Sequence, residues 1–501
     1  MSFSFEHLFQ GFAIALSLQN LMWALIGCFI GTLVGVLPGI GPASGIAILL
    51  PLTTVLPPTS AIIMMAAIYY GAMYGGSTTA IVVNIPGEAS SVPTAIDGYE
   101  MAKQGRAGPA LAICAISSFV AGTLGLIGLT FFAPLLADVA VVFGPPEYFA
   151  LMFMALTLII SLSGRALLKG IISMAIGLTT SLIGQDPLTG AARLTFGFPQ
   201  LLAGVDFISV IVGLFAISEV MINVESRISA ISQKIGSWMP TWDDIKQSFM
   251  AMVRSSGVGF FLGLLPGVTP SVTTFVAYDI EKRFSKHPER FGKGAIDGVA
   301  APEGANNATS TAGFVPLFSF GIPTAPSMAV LLGGLMMYGL QPGPMLFKEN
   351  PEFVWAIIAS MYIGNLMLIV LNLPLVGMWA RICVIPFYIL GPLIVFFSVL
   401  GTYSVRFLAF DVWVMFLFGV IGYFMRKFGF PVAPMVLAAV VTQMMETSLG
   451  QSMLMSQGSI LILFKRPISA VFMILAFLSI ARGFWIQMRT KAPEVAIEET
   501  D

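Results

Sequence analysis

The chain predicts an all-α polytopic membrane protein. Of its 501 residues, 57% are hydrophobic and only 10% are charged, against about 25% charged in a soluble domain. The mean hydropathy is +0.91. Apolar runs such as Ala110–Leu136, Phe149–Leu162, Trp355–Val376 and Val471–Ile480 have helical lengths, unlike the roughly ten-residue alternating strands of an outer-membrane barrel. Two apolar runs are also broken by nearly the same phrase, GTLVGVLPGIGPAS at Gly31–Ser44 and GFFLGLLPGVTPSV at Gly259–Val272.

Taken in order, the apolar segments are 12–37, 42–56, 60–83, 109–136, 148–163, 166–184, 207–222, 250–265, 269–278, 308–321, 327–340, 354–376, 383–400, 408–425, 431–446 and 467–486. A full crossing needs about 20 residues, so roughly 10–14 membrane segments are expected. The segments 42–56, 269–278, 308–321 and 327–340 are too short to cross and flank Pro/Gly/Ser/Thr/Asn-rich stretches. Polar breaks are expected at 84–108, 185–206, 223–249, 281–307 and 341–353. The predicted organisation is a first repeat half at 1–222, a polar linker at 223–249, a second half plus C-terminal helices at 250–486, and a polar tail at 487–501.

The basic residues suggest sidedness. Lys282, Arg283, Lys286, Arg290 and Lys293 crowd one segment, which the positive-inside rule makes cytoplasmic. Arg482, Arg489 and Lys491 place the C-terminus on the same side, and Lys103 and Arg106 place the 84–108 loop there. The uncharged LTTVLPPT and the mixed-charge FKENPEF suit the outside. The two halves then have opposite orientation. The N-terminal MSFSFEHLFQGF has no basic n-region, so a cleaved signal peptide is not expected.

Several functions are disfavoured. Net charge is −1, giving no bulk attraction to nucleic acid. Cys28, Cys114 and Cys383 sit far apart in apolar surroundings and suit packing. The two histidines, His7 and His287, lie in polar segments, so no histidine metal centre or nucleophile–base pair can be assembled. No enzyme activity is expected.

The broken phrases align at six of twelve positions: Gly31/Gly259, Gly35/Gly263, Leu37/Leu265, Pro38/Pro266, Gly39/Gly267 and Pro42/Pro270, all 228 apart. Each is followed by a second broken segment, YGGSTTAIVVNIPGEASS at Tyr74–Ser91 and PEGANNATSTAGFVPLFSFGIPTAPS at Pro302–Ser327. An unpaired peptide group in the bilayer costs several kcal/mol, and proline removes a donor. Matching breaks in two halves are therefore a pointer to a transporter's binding site, where half-helix N-termini aim partial positive charge at an anion. An inverted-repeat transporter with paired broken or re-entrant helices follows.

The candidate substrate-binding residues are Pro38, Gly39, Ser44, Gly76, Ser77, Thr78, Asn84, Pro266, Gly267, Thr269, Asn306, Asn307, Thr309, Pro323 and Thr324. Hydroxyls and amides can hold a carboxylate without a fixed counter-charge, and the same oxygens can complete a Na⁺ shell near Gly39, Thr79, Gly267 or Ser310. A single Ser or Thr more often back-bonds to its own helix; here the clusters carry the signal. Glu88, Asp97 and Asp279 are expected at the interface, solvated. Glu303, beside the amide cluster, is the candidate for cation or proton coupling.

GVLPGIGP, YGGSTTAIVVNIPGE and APEGANNATSTAGFVPLFSFGIPTAPS, in this order and in both halves, resemble the motif stretches of TctA, the large membrane subunit of tripartite tricarboxylate transporters. The resemblance spans nearly the whole chain. It implies a multi-pass protein of the bacterial inner membrane that takes up an organic carboxylate, driven by an ion gradient, commonly Na⁺, and not by ATP. It implies no other cofactor. The implied partners are a small TctB-like membrane subunit and a periplasmic TctC-like solute-binding protein. The family's motif positions map onto Pro38, Gly39, Gly75, Gly76, Ser77, Asn84, Pro86, Pro266, Gly267, Asn306, Asn307, Thr309, Gly321 and Pro323. An uncoupled facilitator would share the broken helices but ignore ion gradients. A membrane-embedded enzyme would need an acid–base or metal set that the chain does not offer.

Overall fold

Helices account for most of the structure, a computed structural model that describes residues 5–37, 40–162, 167–225, 239–382 and 387–489. Pro38, Gly39, Cys383 and the tail from residue 490 lie outside the described residues. Among the described residues, eight helices are long and apolar enough to cross a membrane, and the sheet is one hairpin pairing Gly184–Gln185 with Ala192–Arg193. Large apolar side chains such as Phe131, Leu135, Trp413 and Phe477 are at least half exposed, as lipid-facing positions should be.

Contacts group the chain into two units. One comprises Met1–Val142 and Thr195–Phe424, the other Phe143–Leu194 and Met425–Asp501. The second unit packs the helices Pro145–Leu162, Leu167–Ser181, Val432–Met455 and Pro467–Arg489. Within it, Arg466 Nε donates to the buried Glu147 carboxylate at 2.5 Å, and Arg193 joins Asp186 to Glu446.

The first unit holds both broken phrases. In the first copy, α1 (Leu18–Val36) ends at the break, and α2 (Gly41–Leu49) starts with Pro42 in its first turn. Then come α3 (Pro58–Val83), α4 (Val92–Lys103) and the long α5 (Ala107–Ala140). In the second copy, α6 (Trp242–Gly263) opens on a capping box between Thr241 and Asp244. After its break come α7 (Pro270–Phe284), α8 (Ile296–Ala312), α9 (Pro326–Met337) and α10 (Pro351–Asn372).

The aligned glycines do the same work in both copies. A Cβ on Gly31 would lie 2.5 Å from the Ile68 carbonyl oxygen, and one on Gly35 2.2 Å from that of Ala72, so α1 and α3 touch backbone to backbone. Likewise a Cβ on Gly259 would lie 2.5 Å from the Ala305 carbonyl oxygen and one on Gly263 2.8 Å from Thr309 Cα, so α6 and α8 do the same. This is the close approach that small residues permit between membrane helices. The two copies diverge after the first break. Ile68 with Ala305, Ala72 with Thr309, and Asn84 with Gly321 are each 237 positions apart. The second copy's extra length lies in α7 and the basic loop before α8.

Two expectations are corrected here. The stretch 281–307 was expected to be a polar break, yet its second part is the front of α8, buried from Ile296 to Ala312. Its Asn, Ser and Thr side chains face protein, where partners for most of their polar atoms offset the burial. Asp97 was expected to be solvated but is fully buried. Its Oδ1 accepts the backbone N–H groups of Gly292, Gly294 and Ala295, each at 2.8 Å, and its Oδ2 accepts the Tyr278 hydroxyl at 2.8 Å. The carboxylate is a hub that fastens the basic loop.

Candidate functional site

Each copy brings its two breaks together. Asn84 ends α3 at φ +56°, and Gly321 ends the short helix Phe314–Phe320 at φ +72°. Each is followed by Ile-Pro. An αL residue closes a helix because it turns the chain away from the axis. In the second copy that turn delivers the buried Thr324, whose carbonyl accepts the N–H of Gly267 at 3.2 Å. Gly267 itself has φ +84°. In the first copy the same turn delivers Gly87, whose N–H donates to the Gly76 carbonyl at 3.2 Å. A Cβ on Gly87 would stand 2.2 Å from the Gly35 carbonyl oxygen, next to the first break.

Pro266, Gly267, Pro323 and Thr324 are buried together with these turns. Thr269 precedes α7 half-buried, with no side-chain cap bond, so the first N–H groups of α7 have no side-chain acceptor from that position. Thr309 Oγ1 lies 3.0 Å from the Gly259 carbonyl oxygen and 2.8 Å from Thr273 Oγ1, tying α8 to both arms of the break.

Between the copies lies a cluster of carboxylates and hydroxyls. Glu303 on α8 is fully buried. Its Oε1 accepts from the Ser77 hydroxyl of α3 and from Thr94 Oγ1 of α4 at 2.6 Å. Its Oε2 lies 3.4 Å from Ser118 Oγ of α5, which in turn accepts from Asn307 Nδ2 at 2.7 Å. Asn306 Nδ2 reaches Glu88 Oε1 at 3.2 Å. No basic side chain among the described residues bonds either glutamate. Tyr74, Ser77, Thr78, Cys114 and Asn372 line an adjoining cavity of about 10 Å³, enough for about one water molecule.

The structure therefore gathers Gly76, Ser77, Asn306 and Asn307 around Glu88 and Glu303, with Thr78 at the adjoining cavity, and sets Gly267, Thr269, Thr309, Pro323 and Thr324 around the second copy's breaks. Three candidates stand elsewhere or bond locally. Ser44 donates to the Phe215 carbonyl at 3.2 Å, away from either cluster. Thr79 and Ser310 donate to the carbonyls of Gly76 and Asn306 in their own helices. Asn84 acts through its backbone turn and is exposed. Pro38 and Gly39 lie outside the described residues. Thr94, Ser91 and Ser118 were not singled out from sequence. Each sits in an ordinary helical context; the long-range fold gives Thr94 and Ser118 their partners and sets Ser91 beside Gly76. Glu88 is half-buried against Gly76, not a solvated interfacial residue.

Comparison with known proteins agrees with this architecture. The family model described as "Tripartite tricarboxylate transporter TctA family" matches residues 21–437. The chain is 42% identical over 497 residues to an "Uncharacterized 52.8 kDa protein in TAR-I ttuC' 3'region" of Agrobacterium vitis, covering 99% of each. It is 39% identical over 241 residues to an "Uncharacterized protein in TAR-II ttuC' 3'region" of the same organism, covering 48% of this chain and 100% of that one. No solved structure matches. A match over most of the length, on a multi-helix membrane fold with both broken phrases in one unit, means that this chain belongs to the TctA family of tripartite tricarboxylate transporters.

Proposed function

We propose that this chain carries an organic carboxylate inward across the bacterial inner membrane, as the large subunit of an ion-driven, binding-protein-dependent system. The substrate class is a tricarboxylate such as citrate, or a related dicarboxylate or aromatic carboxylate. The coupling ion is Na⁺. A small TctB-like subunit completes the membrane part, and a periplasmic TctC-like protein delivers the substrate.

The observation that carries this reading is the meeting of two breaks in the second copy, Gly267 against Thr324. A peptide turn of positive φ followed by a helix N-terminus presents N–H groups to an anion without a fixed cation. Thr269 and Thr324 add hydroxyls beside the turn. A site with no permanent positive charge can release its substrate as readily as it takes it up, which a transporter needs.

The test is uptake into proteoliposomes holding the full chain and its small subunit, with the cognate binding protein outside. Carboxylates are screened with and without an inward Na⁺ gradient. Accumulation that requires both the binding protein and the gradient supports the reading. Equilibration that ignores Na⁺ and proton gradients would replace it with an uncoupled facilitator.

A further inference from the structure

Glu303 and Glu88 pose an electrostatic problem that the substrate reading leaves open. The fully buried Glu303 and the half-buried Glu88 lie close enough to repel each other, and no basic side chain among the described residues bonds either. A buried, uncompensated charge is costly. Glu303 is largely answered by its hydroxyl donors Ser77, Thr94 and Ser118. Glu88 has the Asn306 amide, with the Ser90 hydroxyl beside it.

Around Glu88 there are acceptors in want of a partner. Asn306 is fully buried, and its Oδ1 has no hydrogen-bond partner. Ser91 is fully buried, and its Oγ has none either. Ser91 stands beside Glu88 at Gly76, and Asn306 reaches the same carboxylate through its amide nitrogen. A Cβ placed on Gly76 would meet Ser91 Oγ at 2.8 Å, Glu88 Cγ at 2.9 Å and Glu88 Oε1 at 3.4 Å. Glycine at 76 is what lets Ser91 and Glu88 come this close to α3.

The repeat sharpens the point. At the spacing that relates α3 to α8, the counterpart of Glu303 is Ala66, and the counterpart of Glu88 is Ala325. Both copies build the scaffold, but only one position of each pair carries charge. The carboxylates are therefore not needed for the fold that both copies share.

We propose that Glu88, Asn306 Oδ1 and Ser91 Oγ, with Glu303 one helical turn from Asn306, form a site for one alkali cation of the sodium type. Carboxylate, amide and hydroxyl oxygens are ligands for a hard cation. One positive charge balances Glu88 while the hydroxyls hold Glu303. The inference rests on the ion-driven reading above, since the bound cation would be the one that moves with the substrate.

The experiment uses the purified full chain in detergent and in proteoliposomes. NaCl is titrated against choline chloride while the thermal midpoint is followed, and radioactive sodium uptake is measured beside carboxylate uptake. The expected result is a sodium-dependent rise in midpoint for wild type that Glu88→Gln abolishes. Ser91→Ala and Gly76→Ala should each raise the half-saturating sodium concentration by about tenfold or more. Ser91→Ala removes only an unpartnered hydroxyl, so it remains informative if Glu88→Gln does not fold. Sodium stabilisation unchanged in Ser91→Ala and Glu88→Gln would overturn the site. So would wild-type uptake driven by a proton gradient and indifferent to sodium. Carboxylate transport without sodium binding removes this site and leaves the transport reading standing. Sodium binding without any carboxylate transport does the reverse.

Discussion

Asn84 and Gly321 end equivalent helices of the two copies in the same left-handed turn, with φ of +56° and +72°, and each is followed by Ile-Pro. The turn is what brings Gly87 and Thr324 back against the first break of their own copy. Its cost differs by residue type. Glycine adopts positive φ freely, and asparagine tolerates it better than other L-residues. Gly321→Ala is expected to lower stability by about 1 kcal/mol, and Asn84→Gly to change it by less than about 0.5 kcal/mol. Thermal unfolding of the two purified variants in detergent checks this. Equal losses in both would show that the turn is not set by φ.

The glycine crossings make a second prediction. Gly35→Ala places a methyl 2.2 Å from a backbone oxygen of α3, and backbone cannot swing aside as a side chain can. Overpacking of this kind costs about 1–3 kcal/mol. Gly257, on the same helix as Gly259, has open space beyond its Cβ position, so Gly257→Ala serves as a neutral or slightly stabilising control. Melting temperatures of the pair decide it; a Gly35→Ala protein as stable as Gly257→Ala would contradict the backbone contact.

Asp97 predicts a local effect. Asp97→Ala leaves three N–H groups of the basic loop without their acceptor, at about 1–3 kcal/mol for each that stays buried. The loop should open while the helices hold. Trypsin cutting after Lys286, Arg290 and Lys293 is expected to quicken by about tenfold or more, since each 1.4 kcal/mol is a tenfold shift in population. Cleavage mapped by mass spectrometry reports it, and wild-type resistance in Asp97→Ala would refute the hub.

The hairpin of the second unit carries a pH dependence. Backbone N–H groups of Thr189 and Leu188 hold the Asp186 carboxyl below its ordinary value, with the Thr189 side chain and Arg193 assisting. A depressed carboxyl contributes stability above its unfolded value, and that contribution is lost as pH falls through the folded value. Protection of the Asp186–Gly190 turn amides should therefore fall away below about pH 4. Hydrogen exchange corrected for its intrinsic pH dependence measures this, and Asp186→Asn should flatten the profile. An unchanged profile in Asp186→Asn would assign the turn to backbone bonding alone.

The membrane class, the helical lengths and the doubled breaks were legible in the sequence, because each depends on local chemistry. A run of apolar residues must be buried in lipid or protein, and proline with glycine must interrupt a helix wherever they fall. The echo between NIPG at Asn84–Gly87 and GIPT at Gly321–Thr324 was faint as letters and became two matching turns as backbone.

Charge was another matter. Asp97 and Glu88 read as loop residues, and Glu303 read as the neighbour of an amide cluster. Their burial and partners come from segments 181 to 226 residues away, and no local pattern encodes which helix will arrive there. Thr94, Ser91 and Ser118 carried no signal at all for the same reason. Local chemistry dictated where the chain must break. Which carboxylates those breaks enclose was set by the packing of distant helices, because a buried charge is defined by the groups brought to it from elsewhere in the chain.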